Sequence, residues 1–387
     1  METKPETKPE TKPQPQVAPG LEGVYACHTK ISEVDGNAGK LIFNGFEAKQ
    51  LAETKTVEEV WYILRHGVEP SSADLEAFKK QVEKDGHLTR KEIELVAAVP
   101  KSDPLCRVRS ALSIVANQRK VKPWLNRPLA EVERELAVLP ALMPAIVEVL
   151  LTGKAPRRKP KNRGYADRYL NGVLGKRPTK EQLRAVETYL ILTMDHGMNA
   201  STFTARVAAS TGADVGGAIT AAIASLSGPL HGGAPGPVLD MIDSIGTPEN
   251  ADAWIANELA NKRRIMGFGH RVYRTDDPRS LTLRGVADRQ NGSRVELARA
   301  IEKAVLEALA KRQKEKAERL GQPVRPLRVN VEYWTAVVLE HVGLPRELFS
   351  TTFCTSRVIG WSEHIREQIA DNKLFRPMSV YTGKMPE

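Results

Sequence analysis

Residues 214–233 read Asp-Val-Gly-Gly-Ala-Ile-Thr-Ala-Ala-Ile-Ala-Ser-Leu-Ser-Gly-Pro-Leu-His-Gly-Gly. Residues 214–228 are rich in alanine and glycine, which is typical of a buried helix that packs closely against other helices. This helix leads directly to His231, and the glycines beside that histidine let a backbone or a small molecule approach its ring. One stretch therefore predicts both a helical core and a candidate site.

Helical patterns continue on both sides of this stretch. Four further segments carry signals for the start of a helix: Thr56 with Glu59, Thr179 with Gln182, Ser293 with Glu296, and Thr247 before Pro248. In the first three, the hydroxyl and the side chain three residues later have the spacing of a capping box. Residues 31–46 carry Val-Asp-Gly-Asn-Ala-Gly between short apolar stretches and predict a small hairpin. Because no run of alternating strands follows, the sequence predicts an all-α protein and disfavours a nucleotide-binding α/β sheet.

Composition sets further limits on the protein. Its 387 residues suffice for two domains, and Lys+Arg outnumber Asp+Glu by 57 to 47. This excess indicates either solubility or anionic ligands, which are nucleic acid or small polyanions such as carboxylates and nucleotide phosphates. The three cysteines lie far apart without metal-ligand spacing, so we expect a reducing cytoplasm and no metal site. Residues 1–19 repeat Glu-Thr-Lys-Pro and predict a disordered tail, and the longest apolar run, Leu136 to Val147, is too short to span a bilayer.

A second glycine-flanked histidine, His270, lies in Met-Gly-Phe-Gly-His-Arg-Val-Tyr (266–273). Two such histidines in one chain suggest that two rings face one small molecule. The segment Asp-Pro-Arg (277–279) follows, and the guanidinium of Arg279 is suited to bind a carboxylate through two parallel hydrogen bonds. The three segments together predict a site for a small carboxylate ligand.

Three other side chains extend this candidate site. Arg357 and Arg376 stand in Thr-Ser-Arg-Val and Leu-Phe-Arg-Pro, and His196 stands in Asp-His-Gly-Met-Asn-Ala-Ser-Thr-Phe (195–203). Taken alone, each arginine is more often a surface residue or part of a structural ion pair, and the histidine is more often a core residue. Together with the glycine-flanked histidines, the two arginines become candidates for binding carboxylates.

These motifs resemble those of the citrate synthase family from about residue 20 to residue 384. The resemblance rests on both histidine segments, on the Asn-Ala-Ser-Thr-Phe string (199–203), and on Val34-Asp35-Gly36 and Gly360-Trp361 near the two ends. It implies an all-α fold of two domains behind the tail of residues 1–19. A large domain, residues 20–230 and 344–387, forms the dimer. A small domain, residues 231–343, is inserted in it and binds coenzyme A.

The resemblance also implies a reaction, the condensation of acetyl-CoA with oxaloacetate through an enolate. Three residues match catalytic positions: His231 for the enolate, His270 for the ketone, and Glu332 for the base. Residues matching substrate-binding positions are His196, Arg279, Arg357 and, reaching into the partner subunit of a homodimer, Arg376. Residues matching coenzyme A contacts are Arg274, Met266, Gly267, Phe268 and Gly269. The thioester is a co-substrate, and no permanently bound cofactor, metal, nucleic acid or membrane is expected.

The string Val-Asn-Val-Glu (329–332) departs from the family pattern Pro-Asn-Val-Asp. Glutamate has a similar intrinsic pKa but is one methylene longer, and a misplacement of about 1 Å costs on the order of 100-fold in rate. Pro235-Gly236, Thr193 and Thr351 also differ from many relatives. Three alternatives stay open: a 2-methylcitrate synthase that uses propionyl-CoA, a catalytically weak relative that binds CoA or a dicarboxylate, and a basic nucleic-acid binder.

Overall fold

The computed structural model describes residues 17–157, 163–231, 236–270, 272–321 and 326–386. Most of the predicted tail, residues 1–16, and Pro235 lie outside these ranges. Near the N-terminus, the strands β1 (Ser32–Asp35), β2 (Lys40–Phe43) and β3 (Phe46–Glu47) form one antiparallel sheet in that order. Ser32 pairs with Phe43, which also pairs with Phe46. The predicted hairpin is confirmed, and the structure adds a short third strand to it.

Helices make up most of the remaining described chain, which confirms the all-α prediction. They are α1 (Ala48–Thr54), α2 (Val57–His66), α3 (Ser72–Asp85), α4 (Arg90–Ala97), α5 (Pro104–Gln118), α6 (Leu129–Ala141), α7 (Met143–Thr152), α8 (Tyr165–Leu174), α9 (Lys180–Thr193), α10 (Ala200–Ser210), α11 (Val215–Leu226), α12 (Gly236–Ile245), α13 (Ala251–Ala260), α14 (Pro278–Gln290), α15 (Ser293–Leu320), α16 (Val331–Val342) and α17 (Phe349–Ala370). Short 3₁₀ turns lie at Pro19–Leu21, Pro248–Asn250 and Arg346–Leu348.

Two of the predicted capping boxes open helices as expected. At the start of α2, the Thr56 hydroxyl accepts a hydrogen bond from the Glu59 backbone N–H at 3.4 Å, and the Glu59 carboxylate accepts one from the Thr56 backbone N–H at 2.8 Å. Thr179 and Gln182 make the same reciprocal pair at α9, at 3.1 and 2.9 Å. Each box satisfies backbone donors that the first helical turn leaves unpaired.

The other two helix-start predictions are wrong in detail. Gly292, with a φ of 109°, occupies the N-cap position of α15 and makes no side-chain cap bond. Ser293 is therefore already inside the helix, where its hydroxyl cannot serve the predicted capping box. Thr247 precedes a 3₁₀ turn at Pro248–Asn250, and α13 begins only after that turn. Both errors arise because the local backbone path, rather than the side-chain spacing, decides which residue is the cap.

The alanine- and glycine-rich stretch forms α11, which packs against α5, α10 and α17 as the sequence predicts. A short turn then carries the chain to His231, whose backbone N–H donates to the Gly228 carbonyl at 3.0 Å. Helix α17 lies at the centre of the molecule, since it packs against α5, α6, α9, α10 and α11. Helix α9 in turn packs against α14 and α16. These contacts bring together segments that are far apart in sequence.

The apolar run from Leu136 to Val147 belongs to α6 and α7. None of the described helices is by itself long and apolar enough to cross a membrane, and α6 and α7 meet that test only as a pair bent by 41°. In this fold both helices contribute to the core, where Leu139 is 1% exposed and Ile146 is fully buried.

A close approach at Gly360 generates a stability prediction. A Cβ atom at Gly360 would lie 2.2 Å from the Met194 carbonyl oxygen and 2.9 Å from Oδ1 of Asp195. Because backbone must move to relieve this contact, we expect Gly360→Ala to lower the free energy of unfolding by about 1–3 kcal/mol or more. Thermal and denaturant unfolding measure the change.

Gly285→Ala is the matched control. Gly285 also lies inside a helix, α14, but the nearest atom to its added Cβ is the mobile Nη1 of Arg289 at 3.7 Å. Alanine there is expected to be neutral or to stabilise by roughly 0.5–1 kcal/mol, because glycine is unfavourable within helices. Equal losses in both variants would contradict the close-packing argument.

Candidate active site

The connection between α9 and α10 carries His196 and is fixed at both ends. At one end, Oδ2 of the buried Asp195 accepts a hydrogen bond from the Gly197 backbone N–H at 2.9 Å. At the other, Oδ1 of Asn199 accepts from the backbone N–H groups of Ser201 and Thr202, both at 3.1 Å, and so caps α10. The His196 backbone is therefore held on both sides by side chains of its own loop.

Buried polar groups of α10 and α17 support Asp195 from behind. Nε2 of His364 lies 3.1 Å from Oδ1 of Asp195, and Nη1 of Arg206 lies 3.1 Å from the other ring nitrogen, Nδ1. Because arginine only donates, Nδ1 accepts and the ring proton is on Nε2, facing the carboxylate. Although burial favours the neutral acid, His364 and the more distant Arg357 hold the pKa of Asp195 below its usual value. The result is a buried carboxylate that anchors the His196 loop.

A second turn brings His270 beside the start of α16. The backbone at Phe268 pairs with Val329, and the Asn330 side-chain amide donates to the Gly269 carbonyl at 3.0 Å. Gly267 and Gly269 have φ values of 80° and 87°, which glycine adopts without strain. The glycines of the motif therefore let the chain turn tightly against the segment that carries Glu332.

The His270 ring has a defined tautomer. Its Nδ1 accepts hydrogen bonds from the backbone N–H groups of Val272 and Tyr273, both at 3.1 Å. In the neutral ring the proton is therefore on Nε2. Nε2 lies 3.4 Å from Nη2 of Arg279, which is also a donor. An oxygen atom that lies beside both nitrogen atoms could therefore accept a hydrogen bond from each.

The three rings of His196, His270 and Tyr273 are in direct contact, and we call them the ring cluster. The two histidine rings are 5.5 Å apart between centroids, and Nε2 of His196 lies 3.2 Å from the Tyr273 hydroxyl. Burial and the charges of Arg279 and Arg357 lower the pKa of His196 well below its ordinary value. His196 is therefore neutral at physiological pH.

Two buried arginines border the ring cluster. Arg279 is 3% exposed, and Asp277 accepts from its Nε at 3.0 Å and from its Nη2 at 2.8 Å. Arg357 is 2% exposed, and its Nε donates to the Thr193 carbonyl at 2.7 Å. Nη2 of Arg357 has no hydrogen-bond acceptor among the described residues. Burial lowers its pKa to about 10, so the guanidinium still carries its charge at neutral pH.

Glu332 lies in the first turn of α16, where its backbone N–H donates to the capping oxygen of Asn330 at 3.0 Å. Burial raises the pKa of its carboxyl group to about 7, against the opposing effect of Arg279. A carboxyl group with this pKa is a stronger base than an ordinary glutamate and is partly ionised at neutral pH. Glu332 is therefore electrostatically suited to accept a proton.

His231 lies apart from the ring cluster, against the N-terminus of α10. Its Nε2 is 2.7 Å from the Ser201 hydroxyl and accepts from the Ser201 backbone N–H at 3.3 Å. The ring proton is therefore on Nδ1. Burial, and secondarily the charge of Arg357, lower its pKa to about 4. The rings of His231 and His270 are thus not in contact in the single chain, and that both face one small molecule stays a prediction.

The remaining predicted residues lie at the margin of this arrangement. Arg274 is exposed, and its backbone N–H donates to the Gly36 carbonyl at 2.7 Å. Phe268 is buried and Met266 is half-buried beside the turn that carries His270. Arg376 is exposed on the segment that follows α17 and has no recorded contact with the ring cluster. The structure of the single chain therefore brings His196, His270 and Arg279 into contact, with Arg357 and Glu332 close enough for their charges to act on this group. His231 lies apart at the start of α10, and Arg376 lies outside the arrangement.

Sequence reasoning missed Asp277, which orients Arg279, and the tyrosines of the site. Asp277 could have been found, because an aspartate directly before Pro278 is a strong N-cap signal, and it does cap α14. Tyr273 lies within the quoted histidine motif but carries no signal of its own. Within the described residues, no group of three or more His, Cys, Asp or Glu side chains is placed to hold a metal ion.

Comparison with known proteins shows which family this chain resembles. The family model for the citrate synthase C-terminal domain matches residues 20–378. The citrate synthase of Acidithiobacillus ferridurans is 33% identical over 377 residues, which cover 96% of each chain. Citrate synthase 2 of Bacillus subtilis is 33% identical over 369 residues, which cover 94% of this chain and 95% of the relative.

Solved structures agree with these sequence matches. The crystal structure of citrate synthase from Thermotoga maritima superposes with a TM-score of 0.83 at 31% identity, covering 96% of this chain and 97% of the other. The citrate synthase of Thermoplasma acidophilum, solved in a ternary complex with carboxymethyl coenzyme A and oxaloacetate, superposes with a TM-score of 0.81 at 30% identity, covering 96% of this chain and 97% of the other.

The raised pKa of Glu332 leads to a titration experiment. Below pH 7 the carboxyl group should be mostly protonated and above pH 7 mostly ionised, because burial disfavours the charge. Carbon-13 NMR of glutamate-labelled protein should therefore show a side-chain resonance with a midpoint near 7 that Glu332→Gln removes. Glu187, whose pKa is also raised by burial to about 7, gives a second such resonance, which Glu187→Gln removes instead. A Glu332 midpoint near 4 would contradict the proposed desolvation.

Proposed function

The chain belongs to the citrate synthase family, and we propose that it condenses acetyl-CoA with oxaloacetate to give citrate and CoA. The observation that carries the proposal is the buried guanidinium of Arg357, whose Nη2 has no acceptor among the described residues. A buried cation is costly unless an anion pairs with it. Because the neighbouring His196 and His231 are held neutral, a carboxylate of oxaloacetate is the partner that this position lacks.

The ring cluster suits the ketone of the same substrate. An oxygen between Nε2 of His270 and Nη2 of Arg279 accepts a hydrogen bond from each, and both donors strengthen as negative charge develops on that oxygen. The Thermoplasma acidophilum relative binds oxaloacetate together with a coenzyme A derivative, which supports the same pair of ligands here.

The reaction then proceeds by proton removal and carbon–carbon bond formation. The Glu332 carboxylate takes a proton from the methyl group of acetyl-CoA, and the Nδ1–H of His231 donates to the enolate oxygen. The enolate carbon attacks the ketone carbon of oxaloacetate, and the ketone oxygen takes the Nε2 proton of His270. The proton that Glu332 took from the methyl group then returns to Nε2 of His270, which restores both residues. Water finally attacks the citryl thioester, the carbon–sulfur bond breaks, and the sulfur leaves as the thiol of CoA.

The coenzyme A end of the substrate is assigned to the small domain, residues 231–343. The exposed guanidinium of Arg274 contacts a phosphate, and the backbone of residues 266–269 receives the adenine. The large domain comprises residues 20–230 and 344–387. With this division, His196 comes from the large domain and His270 from the small one, and their ring centroids lie 5.5 Å apart. The reaction therefore takes place where the two domains meet.

The active form is a homodimer in which Arg376 of each chain completes the partner's site. Its support is the exposed segment after α17, on which Met378 is 93% and Tyr381 69% exposed. Apolar side chains so far from any core indicate a surface that another chain covers. The cysteines at positions 27, 106 and 354 are free thiols, which supports a location in the reducing cytoplasm.

The alternatives are less well supported. None of the relatives compared above is named as a 2-methylcitrate synthase, so acetyl-CoA is the preferred thioester. A role as a catalytically weak binding protein rests only on glutamate in place of the family's aspartate, and the raised pKa of Glu332 favours a working base. Nucleic-acid binding explains the net positive charge but leaves the buried arginines and neutral histidines unexplained.

Thiol release from acetyl-CoA in the presence of oxaloacetate tests the proposed reaction. We expect turnover by the wild-type protein, with a rate that falls below about pH 7 as Glu332 becomes protonated. Glu332→Gln should lower kcat by roughly 100- to 10,000-fold, the range for loss of a general base. Glu332→Asp keeps the carboxylate and should retain more activity than Glu332→Gln.

Glu187→Gln is the matched control, because Glu187 has a similarly raised pKa but lies on the other side of α9 against the N-terminus of α2. It should keep wild-type turnover. Full activity in Glu332→Gln would remove Glu332 as the base, and a higher kcat/KM with propionyl-CoA than with acetyl-CoA would favour the 2-methylcitrate alternative.

Mixing two inactive variants tests the shared site. In a heterodimer of Arg376→Ala and Glu332→Gln chains, one site has both an intact Glu332 and the partner's intact Arg376, while the other site has neither. Unfolding and refolding an equal mixture should therefore recover about a quarter of wild-type activity, since about half the dimers are mixed. Sedimentation confirms the dimer in each sample. No recovery from mixed dimers would place Arg376 in the site of its own chain, and an Arg376→Ala protein that is active by itself would place it outside both sites.

A further inference from the structure

The Tyr189 hydroxyl is a buried polar group without a hydrogen-bond partner among the described residues. Its side chain is 1% exposed. The other deeply buried tyrosine hydroxyls all have partners: Tyr165 with the Thr355 carbonyl at 2.8 Å, Tyr169 with Oγ1 of Thr352 at 2.7 Å, and Tyr333 with the Ala298 carbonyl at 2.6 Å. Among the described residues, Tyr189 is thus the one buried tyrosine whose hydroxyl lacks a partner, and this needs an explanation because buried polar groups are normally paired.

Its position connects Tyr189 with Arg357. Tyr189 lies one turn before Thr193 on α9, and the two residues are joined by a hydrogen bond from the Thr193 hydroxyl to the Tyr189 carbonyl at 2.8 Å. The Thr193 carbonyl is the acceptor that holds Nε of Arg357 at 2.7 Å. Tyr189 therefore belongs to the same turn of α9 whose last carbonyl, that of Thr193, binds the Arg357 guanidinium.

The surroundings of the Tyr189 hydroxyl are those of the active site. Helix α9 packs against α14, which carries Arg279, and against α16, which carries Glu332. The charges of both these residues, and that of Arg357, act on the hydroxyl. Burial, the largest influence, raises the pKa of Tyr189, so the phenol keeps its proton and remains a donor.

Two donors at this turn thus lack an acceptor: the Tyr189 hydroxyl and Nη2 of Arg357. A group that satisfies both must accept hydrogen bonds, and next to a buried cation it should carry negative charge. A carboxylate fits, because its two oxygens offer about four acceptor positions. The Glu332 carboxylate makes no hydrogen bond to either donor in this structure, so a ligand is the better candidate.

We propose that the Tyr189 hydroxyl donates a hydrogen bond to the oxaloacetate carboxylate that Arg357 binds, which makes Tyr189 a further substrate-binding residue. The identity of the substrate rests on the proposed function. The bond forms only with substrate present, so the hydroxyl contributes to affinity and not to the stability of the free protein.

Tyr189→Phe tests this, with Tyr169→Phe as the matched control. Titration calorimetry with oxaloacetate alone should show affinity weakened on the order of 10- to 100-fold in Tyr189→Phe, as for loss of a hydrogen bond to a charged group. KM for oxaloacetate should rise by a similar factor while KM for acetyl-CoA stays constant. Tyr169→Phe should bind oxaloacetate as the wild type does, because its hydroxyl is already paired with Thr352.

In thermal unfolding without ligand, Tyr169→Phe and not Tyr189→Phe should be the variant that differs unfavourably from the wild type. Tyr189→Phe removes an unpaired hydroxyl and should unfold at the wild-type temperature or above, whereas Tyr169→Phe loses an internal hydrogen bond and should unfold below it. A Tyr189→Phe protein that unfolds early, or fails to fold, would show that the hydroxyl is bonded within the protein and would overturn the proposal.

Two further outcomes would also overturn it. In the first, Tyr189→Phe leaves the affinity for oxaloacetate unchanged but shifts the pH at which the rate falls on the acidic side of the pH–rate profile. The hydroxyl would then act on Glu332 and not on the substrate. Unchanged affinity and an unchanged profile would leave Tyr189 without a role in binding, even if the wild type turns over normally. A wild type that neither binds oxaloacetate nor turns over would overturn the proposed function as well, so the two failures are distinguishable.

Discussion

The site is organised by a buried positive charge, that of Arg357, whose Nη2 has no hydrogen-bonded anion among the described residues. Arg357 is almost fully buried, and its guanidinium keeps its charge although burial lowers its pKa to about 10. That charge reaches His196 and His231 and, together with burial, keeps both rings neutral. Neutral histidines donate a single defined hydrogen bond and do not compete with Arg357 for an anionic ligand. Burial, with the charges of Arg279 and Arg357 adding to it, therefore sets the protonation of the histidines, and Arg357 favours a negatively charged ligand.

The surrounding fold holds that cation and the histidines in place with backbone contacts. The Thr193 carbonyl at the end of α9 receives Arg357, and two residues later Asp195 begins the loop that carries His196. Gly360 of α17 lets that loop lie against the central helix with no intervening side chain. On the opposite side, the Asn330 amide fixes the turn before His270. Side chains far apart in sequence are thus positioned by a few short-range contacts.

Much of this arrangement could be predicted from the sequence. The rest could not, because it depends on contacts between distant parts of the chain. The boxes at Thr56 and Thr179 could be predicted because capping needs only residues within one turn. The glycines around His231 and His270 mark local backbone requirements in the same way. The orphaned hydroxyl of Tyr189 could not be foreseen, because its isolation depends on helices that pack against α9 from more than 80 residues away along the chain. The tautomer of His270 likewise depends on how the chain turns after it.

For Glu332, the sequence and the structure lead to different expectations about the rate of proton removal. By length alone, the extra methylene moves a carboxylate by about 1 Å and argues for a slow enzyme. Its environment acts in the other direction, because burial raises the pKa of Glu332 to about 7 and makes the ionised form a stronger base. Arg279 limits this effect, since its charge favours the carboxylate. In the proposed reaction, Arg279 therefore binds substrate and also keeps part of Glu332 ionised at neutral pH, so that binding and proton removal depend on the same guanidinium.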